Sequence, residues 1–130
     1  MKIGYFGSRT GVGAALFAAA RRSDVAAVVS RGGRPDHAGK YLSRVVAPSL
    51  LIVGKAGVQV LALNREALRH LNGRSELRVI PGATRLFEEP GALEKAARET
   101  TKWFQIHSTR PMYYQDRAQA GQKLAMALAK

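Results

Sequence analysis

Four short apolar runs constrain the fold of this chain more than any other feature of its sequence. None of them alternates apolar with polar side chains, and each has the length of a β-strand. Such runs are typical of strands buried on both faces, which occur in parallel sheets covered by helices. The runs are Lys2 to Phe6, Val25 to Ser30, Ser49 to Val53 and Leu77 to Ile80.

The segments between and after these runs have helical patterns. Gly11 to Arg22 is rich in alanine, Pro35 to Arg44 begins with a proline, and Asn64 to Leu71 begins with a residue that can N-cap a helix. A fourth helix is predicted to begin near Pro90, and a last one at Asp116. The predicted fold class is therefore α/β, with a parallel sheet of about four strands, helices on both faces and an extra C-terminal helix.

The composition narrows the classes of function. The chain has 21 basic and 9 acidic residues, a net charge of +12, and no cysteine. The charge favours acidic partners such as nucleic acid or phosphorylated metabolites, although a basic surface without a partner has the same composition. The lack of cysteine excludes disulfides, thiolate metal sites and a cysteine nucleophile. We expect no metal, no cofactor and no membrane partner, and a cytoplasmic location.

Loops at the carboxyl ends of the strands are the candidate ligand sites, since ligands of open parallel sheets bind there. Four such loops begin near Gly7, Ser30, Gly54 and Pro81. The first, Gly7-Ser8-Arg9-Thr10-Gly11, is a tight strand–turn–helix that exposes its middle residue. A serine in the middle would be a nucleophile elbow, but this chain has an arginine at that position.

Three segments carry a resemblance to a known family. Phe6 to Gly11, Leu50 to Gly54 and Pro81 to Leu93 resemble the dienelactone-hydrolase-like branch of the α/β-hydrolase superfamily, and Arg31 to Asp36 is similar to it as well. The match runs from Lys2 to Trp103 and covers the C-terminal half of the family fold. It implies that residues 1–107 form a truncated α/β-hydrolase-like domain and that residues 108–130 form a connecting segment and the C-terminal helix.

The resemblance implies a catalytic triad whose three positions are substituted here. It aligns the nucleophilic serine with Arg9, the acid with Gly57 and the histidine with Arg85. None of these residues can act as the nucleophile, the orienting acid or the general base of a triad. Ser8 is one residue away from the required position. We therefore predict a catalytically inactive or degenerate hydrolase-like protein that serves as a binding or assembly module. His37, His70 and His107 lie outside the family's loop and are expected to be ordinary surface or capping residues.

The same positions suggest a basic pocket. Arg9 and Arg85 replace residues that meet in space in the family fold, next to the N-terminus of a helix. Two guanidinium groups at a helix N-terminus form a candidate site for phosphate, sulfate or carboxylate. Ser8, Thr10 and Arg31 complete the set of candidate anion-binding residues. The alternative is a drifted site whose strained turn has relaxed.

The C-terminal tail carries a second resemblance. Tyr114 to Arg117, with Ala120-Gly121 and Leu124-Ala125, is similar to the opening helix of a phosphoribosyltransferase domain. The match covers a short segment without a phosphoribosyl-binding loop, so no transferase activity is inferred.

Half of a hydrolase fold leaves the first strand at an unpaired sheet edge. We therefore expect a homodimer, formed through that edge or by exchange of the C-terminal helix. Three other functions stay open: an active hydrolase or esterase with an unusual site, a nucleotide binder and a nucleic-acid binder acting through charge alone. Gly11-Val12-Gly13 and Arg31 favour the nucleotide binder, but the full GxGxxG spacing is absent.

Overall fold

The structure is a computed structural model that describes residues 3–9, 11–84 and 86–107, together with the backbone of 112–116 and 125–128. These described residues form six strands, three α-helices and a 3-10 helix. The strands are β1 (Ile3–Ser8), β2 (Val25–Arg31), β3 (Ser49–Gly54), β4 (Glu76–Ile80), β5 (Met112–Asp116) and β6 (Ala125–Leu128). The helices are α1 (Gly11–Ala20), the 3-10 helix (Pro35–Arg44), α2 (Val58–Leu68) and α3 (Ala92–Ile106).

The sheet has the strand order β4-β3-β2-β1-β5-β6. Strands β1 to β4 pair in parallel, and β5 pairs in parallel with β1, whereas β6 runs antiparallel to β5. The four apolar runs thus form four adjacent parallel strands, which confirms the predicted fold class. Every residue of β3 is buried, as expected for a central strand that is covered on both faces.

Helices cover both faces of this sheet and create two cores. On one face, α1, the 3-10 helix and α2 pack over side chains that include Tyr5, Val28 and Leu51. On the other face, α3 packs over side chains that include Val29 and Ile52. The carboxyl ends of β1 to β4 emerge at one edge of this sandwich, between the two helical layers.

The prediction of a C-terminal helix is wrong where the structure describes that segment. Met112–Asp116 and Ala125–Leu128 are strands, and residues 117–124 lie outside the described residues. The alanine-rich pattern favours a helix, but the free backbone groups along the edge of β1 favour pairing with another strand. The prediction that β1 is an unpaired edge is therefore also wrong, because β5 pairs with it.

The predicted N-cap role of Asn64 is also wrong. The helix begins six residues earlier, at Val58, and Asn64 is buried inside it. Its Nδ2 donates to the carbonyl oxygens of Val60 (2.7 Å) and Gly33 (3.1 Å). The side chain therefore joins α2 to the loop after β2 and does not cap a helix. The other predicted helices are present, with their ends displaced by a few residues.

Within the part of the chain that the structure describes, no helix has the length and hydropathy needed to cross a membrane.

Candidate functional site

The turn between β1 and α1 keeps the tight geometry that the sequence predicts. Arg9 has a φ of 55°, a left-handed conformation that is costly for a residue with a side chain. Its N–H donates to the carbonyl of Arg31 at 3.3 Å, and its carbonyl accepts from the N–H of Val12 at 3.3 Å. A Cβ on Gly7 would lie 2.8 Å from the carbonyl oxygen of Gly11. The turn has therefore not relaxed, although the serine of an elbow is replaced by arginine.

Backbone hydrogen bonds connect the four loops at this edge of the sheet in series. The first loop donates from Arg9 to the end of β2, as described above. The second loop donates from the N–H of Gly32 to the carbonyl of Ile52 at 2.8 Å. The third donates from the N–H of Ala56 to the carbonyl of Ala83 at 3.0 Å. Each of the first three loops is thereby tied to the next strand or loop of the sheet, which fixes the positions of the residues that project from them.

Two glycines allow these loops to approach one another so closely. A Cβ on Gly33 would lie 2.2 Å from Cγ2 of Val12 and 2.6 Å from the carbonyl oxygen of Arg9. A Cβ on Gly54 would lie 2.3 Å from the carbonyl oxygen of Ala83. Real Cβ atoms do not approach other atoms this closely, so a side chain at either position would push the loops apart.

These loops surround an open cleft of about 800 Å³. It contains residues from all four loops, including Arg9 from the first, Gly57 from the third and Thr84 from the fourth. The described residues that line it are Arg9, Gly32, Gly33, Arg34, Ala56, Gly57, Val58, Gln59, Val60, Leu63, Thr84 and Leu86. Two of the three predicted triad-equivalent positions therefore line one cleft. Arg85 and Thr10 lie outside the described residues, so the predicted meeting of Arg9 with Arg85 stays a prediction.

The cleft has one described cation without an ion pair and one that is paired. Arg9 is exposed and makes no ion pair with any described residue. Arg34 donates from Nε and a terminal nitrogen to the two carboxylate oxygens of Asp36, at 2.9 and 2.8 Å. These hydrogen bonds lower the pKa of Asp36 below its ordinary value. The pair is close to neutral overall, so Arg9 supplies the available positive charge.

The N-terminus of α2 also faces the cleft, which the sequence analysis missed. Gly57 precedes the helix and lines the cleft together with Val58 and Gln59, the first two helical residues. No side chain caps this end of the helix among the described residues. Its first-turn N–H groups therefore offer donors and a partial positive charge to an anion. The sequence feature that could have indicated this helix start is Gly57, which lies three residues after the end of the buried strand β3.

Two predicted anion-binding residues do not reach the cleft wall. Ser8 is the last residue of β1 and is 4% exposed. The guanidinium of Arg31 lies on the α3 face of the sheet, 5.6 Å from the ring centre of Phe6 and 6.0 Å from that of Phe87. Cation–π contacts of this kind hold Arg31 beside the cleft and outside its lining.

No histidine is among the described residues that line the cleft. His70 Nε2 lies 3.1 Å from a carboxylate oxygen of Glu66, one helical turn earlier. The ring of His107 packs at 4.2 Å from that of Trp103, and burial lowers its pKa. Among the described residues, no group of three or more His, Cys, Asp or Glu side chains is placed to hold a metal ion.

Comparison with known proteins identifies this arrangement of strands and loops. A crystal structure of a dienelactone hydrolase from Anabaena variabilis superposes on the chain with a TM-score of 0.80 at 53% identity, over 82% of this chain and 50% of that one. The chain has half of a dienelactone hydrolase-like fold. The cleft that Arg9, Gly57 and Thr84 line lies within this hydrolase-like fold.

Sequence comparison adds relatives with a different name. Two proteins of Mycobacterium tuberculosis, from strains CDC 1551 and H37Rv, are each 55% identical over 112 residues, which is 85% of this chain. Each is provisionally named a phosphoribosyl transferase. The chain spans 25% of their length and half of the hydrolase-like relative. No protein-family model matches the chain.

Proposed function

We propose that the chain is a non-catalytic hydrolase-like protein that binds a small organic anion in the cleft. The support for the loss of catalysis is chemical. The triad-equivalent residues Arg9, Gly57 and Arg85 supply neither a nucleophile nor a base with an orienting acid. The neighbouring Ser8 is buried at the end of β1 and is not part of the lining.

The single observation that carries the anion proposal is the placement of Arg9. It stands at the left-handed position of the elbow turn, where it lines the cleft without a carboxylate partner in the described structure. The uncapped N-terminus of α2 contributes to the same cleft from the third loop. A guanidinium and a helix N-terminus together form an arrangement that binds carboxylate and phosphate groups.

The rest of the lining indicates an apolar body on this ligand. Val58, Val60, Leu63 and Leu86 contribute aliphatic side chains, and Gln59 contributes an amide. Ligand sites usually combine apolar walls with a few polar groups that fix orientation. An aliphatic or aromatic carboxylate, or a phosphate monoester, has both parts.

Calorimetric titration tests this proposal with three probes: benzoate, phenyl phosphate and the neutral benzyl alcohol. We expect the two anions to bind and the alcohol to bind at least tenfold more weakly, since charged hydrogen bonds contribute about 1.5–3 kcal/mol. Arg9→Gln should weaken anion binding by a similar factor. Arg98→Gln, which removes an exposed cation from α3, is the matched control and should leave binding unchanged. Equal binding to wild type and Arg9→Gln would contradict the proposal.

An ester screen tests the alternative of an active hydrolase with an unusual site. We expect no turnover of p-nitrophenyl acetate above the level of the Arg9→Gln variant. Clear turnover that disappears in Arg9→Gln would show that the cleft is catalytic and would replace the first part of the proposal.

A homodimer remains a separate proposal. Because β5 pairs with the edge of β1, an unpaired first strand does not support a dimer through that edge. Light scattering at micromolar concentration tests it, and a sharp single-chain mass would count against it.

A further inference from the structure

A second surface brings together aromatic and basic side chains from two helices. It consists of Phe17 on α1, Arg21 in the turn that follows α1, and Lys40, Tyr41 and Arg44 on the 3-10 helix, and we call it the basic-aromatic patch. The rings of Phe17 and Tyr41 meet edge to face, with their centres 4.7 Å apart. Residues 24 positions apart in sequence therefore form one aromatic surface.

Three cations surround these two rings. The guanidinium of Arg21 lies 5.4 Å from the ring centre of Phe17. The guanidinium of Arg44 and the ammonium of Lys40 lie 5.3 and 5.8 Å from the ring centre of Tyr41. None of the three forms an ion pair with another described residue. Their charges are therefore available to an external anion.

A groove of about 580 Å³ runs between the two helices at this patch. The lining residues are Gly13, Ala14, Phe17, His37, Ala38, Gly39, Lys40 and Tyr41, and none of them is acidic. The groove shares no lining residue with the cleft of the hydrolase-like fold. A Cβ on Gly13 would lie 2.9 Å from Cβ of His37, so glycine at this position lets the two helices meet closely.

Two acidic residues line a neighbouring groove, and both are paired. This groove shares Gly39 and Lys40 with the first one and also contains Asp36 and Glu66. Asp36 is held by Arg34, and Glu66 faces Arg69 at 3.7 Å and His70 at 3.1 Å. Their charges are thus largely compensated before a ligand arrives, and they do not reverse the sign of the patch.

We propose that the basic-aromatic patch binds a short stretch of single-stranded nucleic acid. Bases stack on aromatic rings and on the planar guanidinium groups of arginine, while the cations contact the phosphates. The two aromatic rings favour nucleic acid over an acidic peptide, because an acidic peptide would bind to the cations only and would leave the rings without a stacking partner. The net charge of +12 adds long-range attraction for the same polyanion.

Fluorescence anisotropy with a labelled oligodeoxythymidylate tests the charges of the patch. The triple variant R21A/K40A/R44A should weaken binding at least tenfold. The control K95A/R98A/K102A removes three exposed cations from α3, on the opposite face of the sheet, and lowers the net charge equally. It should change binding less than threefold. Equal loss in both triple variants would show that the net charge alone attracts the DNA and would overturn the proposal.

Substitution of Tyr41 tests the stacking. Tyr41→Leu should weaken binding by about tenfold, since loss of one base–aromatic stack has an effect of that order. Tyr41→Phe keeps the ring and should bind as the wild type does. Circular dichroism melts of each variant establish that the fold is intact. If Tyr41→Leu binds as tightly as Tyr41→Phe, the rings take no part and the proposal fails.

Two further measurements complete the test on the unaltered chain. The logarithm of the affinity should fall with the logarithm of salt concentration with a slope of about 2, as expected for three phosphate contacts on a single strand. A poly-glutamate peptide of equal charge should bind at least tenfold more weakly than the oligonucleotide. Equal affinity for the peptide would identify the patch as a docking site for acidic proteins and would overturn the assignment to nucleic acid.

Discussion

The cleft and the basic-aromatic patch are built from different parts of the chain. Backbone contacts position the loops of the cleft, since main-chain hydrogen bonds tie these loops to neighbouring strands and loops and glycines lie at the contacts. Side chains form the patch, since Phe17, Tyr41 and the neighbouring cations rest on the outer surface of two helices. The same fold thus carries one site whose shape is set by main-chain contacts and another whose shape is set by contacts between side chains.

This difference determines how each site responds to substitution. A change at one of the exposed cations of the patch, Lys40 or Arg44, removes a charge from the surface and leaves the buried core unchanged. A side chain at Gly33 or Gly54 pushes two loops apart, and the cleft residues on those loops move with them. Stability measurements therefore separate the two sites as clearly as binding measurements do.

Gly54→Ala should have the largest effect, because it breaks the contact between the third and fourth loops. Its Cβ would lie 2.3 and 2.5 Å from the carbonyl oxygens of Ala83 and Thr84, and backbone atoms cannot swing aside. We expect the free energy of unfolding to fall by about 3 kcal/mol, the upper part of the usual range for overpacking. Urea denaturation followed by circular dichroism measures the change.

Gly73→Ala is the matched control for this experiment. A Cβ at Gly73 meets nothing within 4 Å, and the residue does not have a positive φ. The stability of this variant should stay within about 0.5 kcal/mol of the wild type. If the two alanine variants unfold at the same urea concentration, the third and fourth loops can move apart at little cost, and the short distances at Gly54 do not constrain them.

Arg9→Gly should have a smaller effect of opposite sign. Glycine removes the penalty of about 1–2 kcal/mol for a left-handed residue with a Cβ, but it also makes the unfolded chain more flexible. We expect a net stabilisation of about 0.5 kcal/mol relative to Arg9→Gln, which loses the same charge and keeps the Cβ. A glycine variant less stable than the glutamine variant in urea would show that the turn is not strained.

The sequence predicts the central fold well because burial dominates there. The apolar runs Val25 to Ser30 and Ser49 to Val53 have no alternation, and their strands are buried almost throughout. The turn at Arg9 follows equally from the two glycines that flank it, at Gly7 and Gly11. In these segments local composition and tertiary environment favour the same structure.

The prediction fails where long-range contacts outweigh local propensity. Ala125–Leu128 has a helical composition, yet it is a strand next to β5 because sheet pairing satisfies backbone groups across the edge. Asn64 has the chemistry of an N-cap, yet its amide bonds to the loop at Gly33. The contact between Phe17 and Tyr41 depends on how α1 meets the 3-10 helix, which no local pattern encodes.

Acid should loosen the fourth loop of the cleft, and this is the smallest of the expected effects. A carboxylate oxygen of Glu89 accepts the backbone N–H of Thr84 at 3.0 Å, and this bond is the main reason that the pKa of Glu89 lies below its ordinary value of 4.5. Because the folded state lowers this pKa, the bond stabilises the fold above about pH 4.5 and is lost as the pH falls through the folded value.

Urea midpoints measured from about pH 7 to about pH 3 should therefore fall more steeply for the wild type than for Glu89→Gln. Glu94→Gln, which removes an exposed carboxylate from the first turn of α3, should keep the wild-type slope. Equal slopes for all three proteins would mean that the fourth loop does not depend on Glu89.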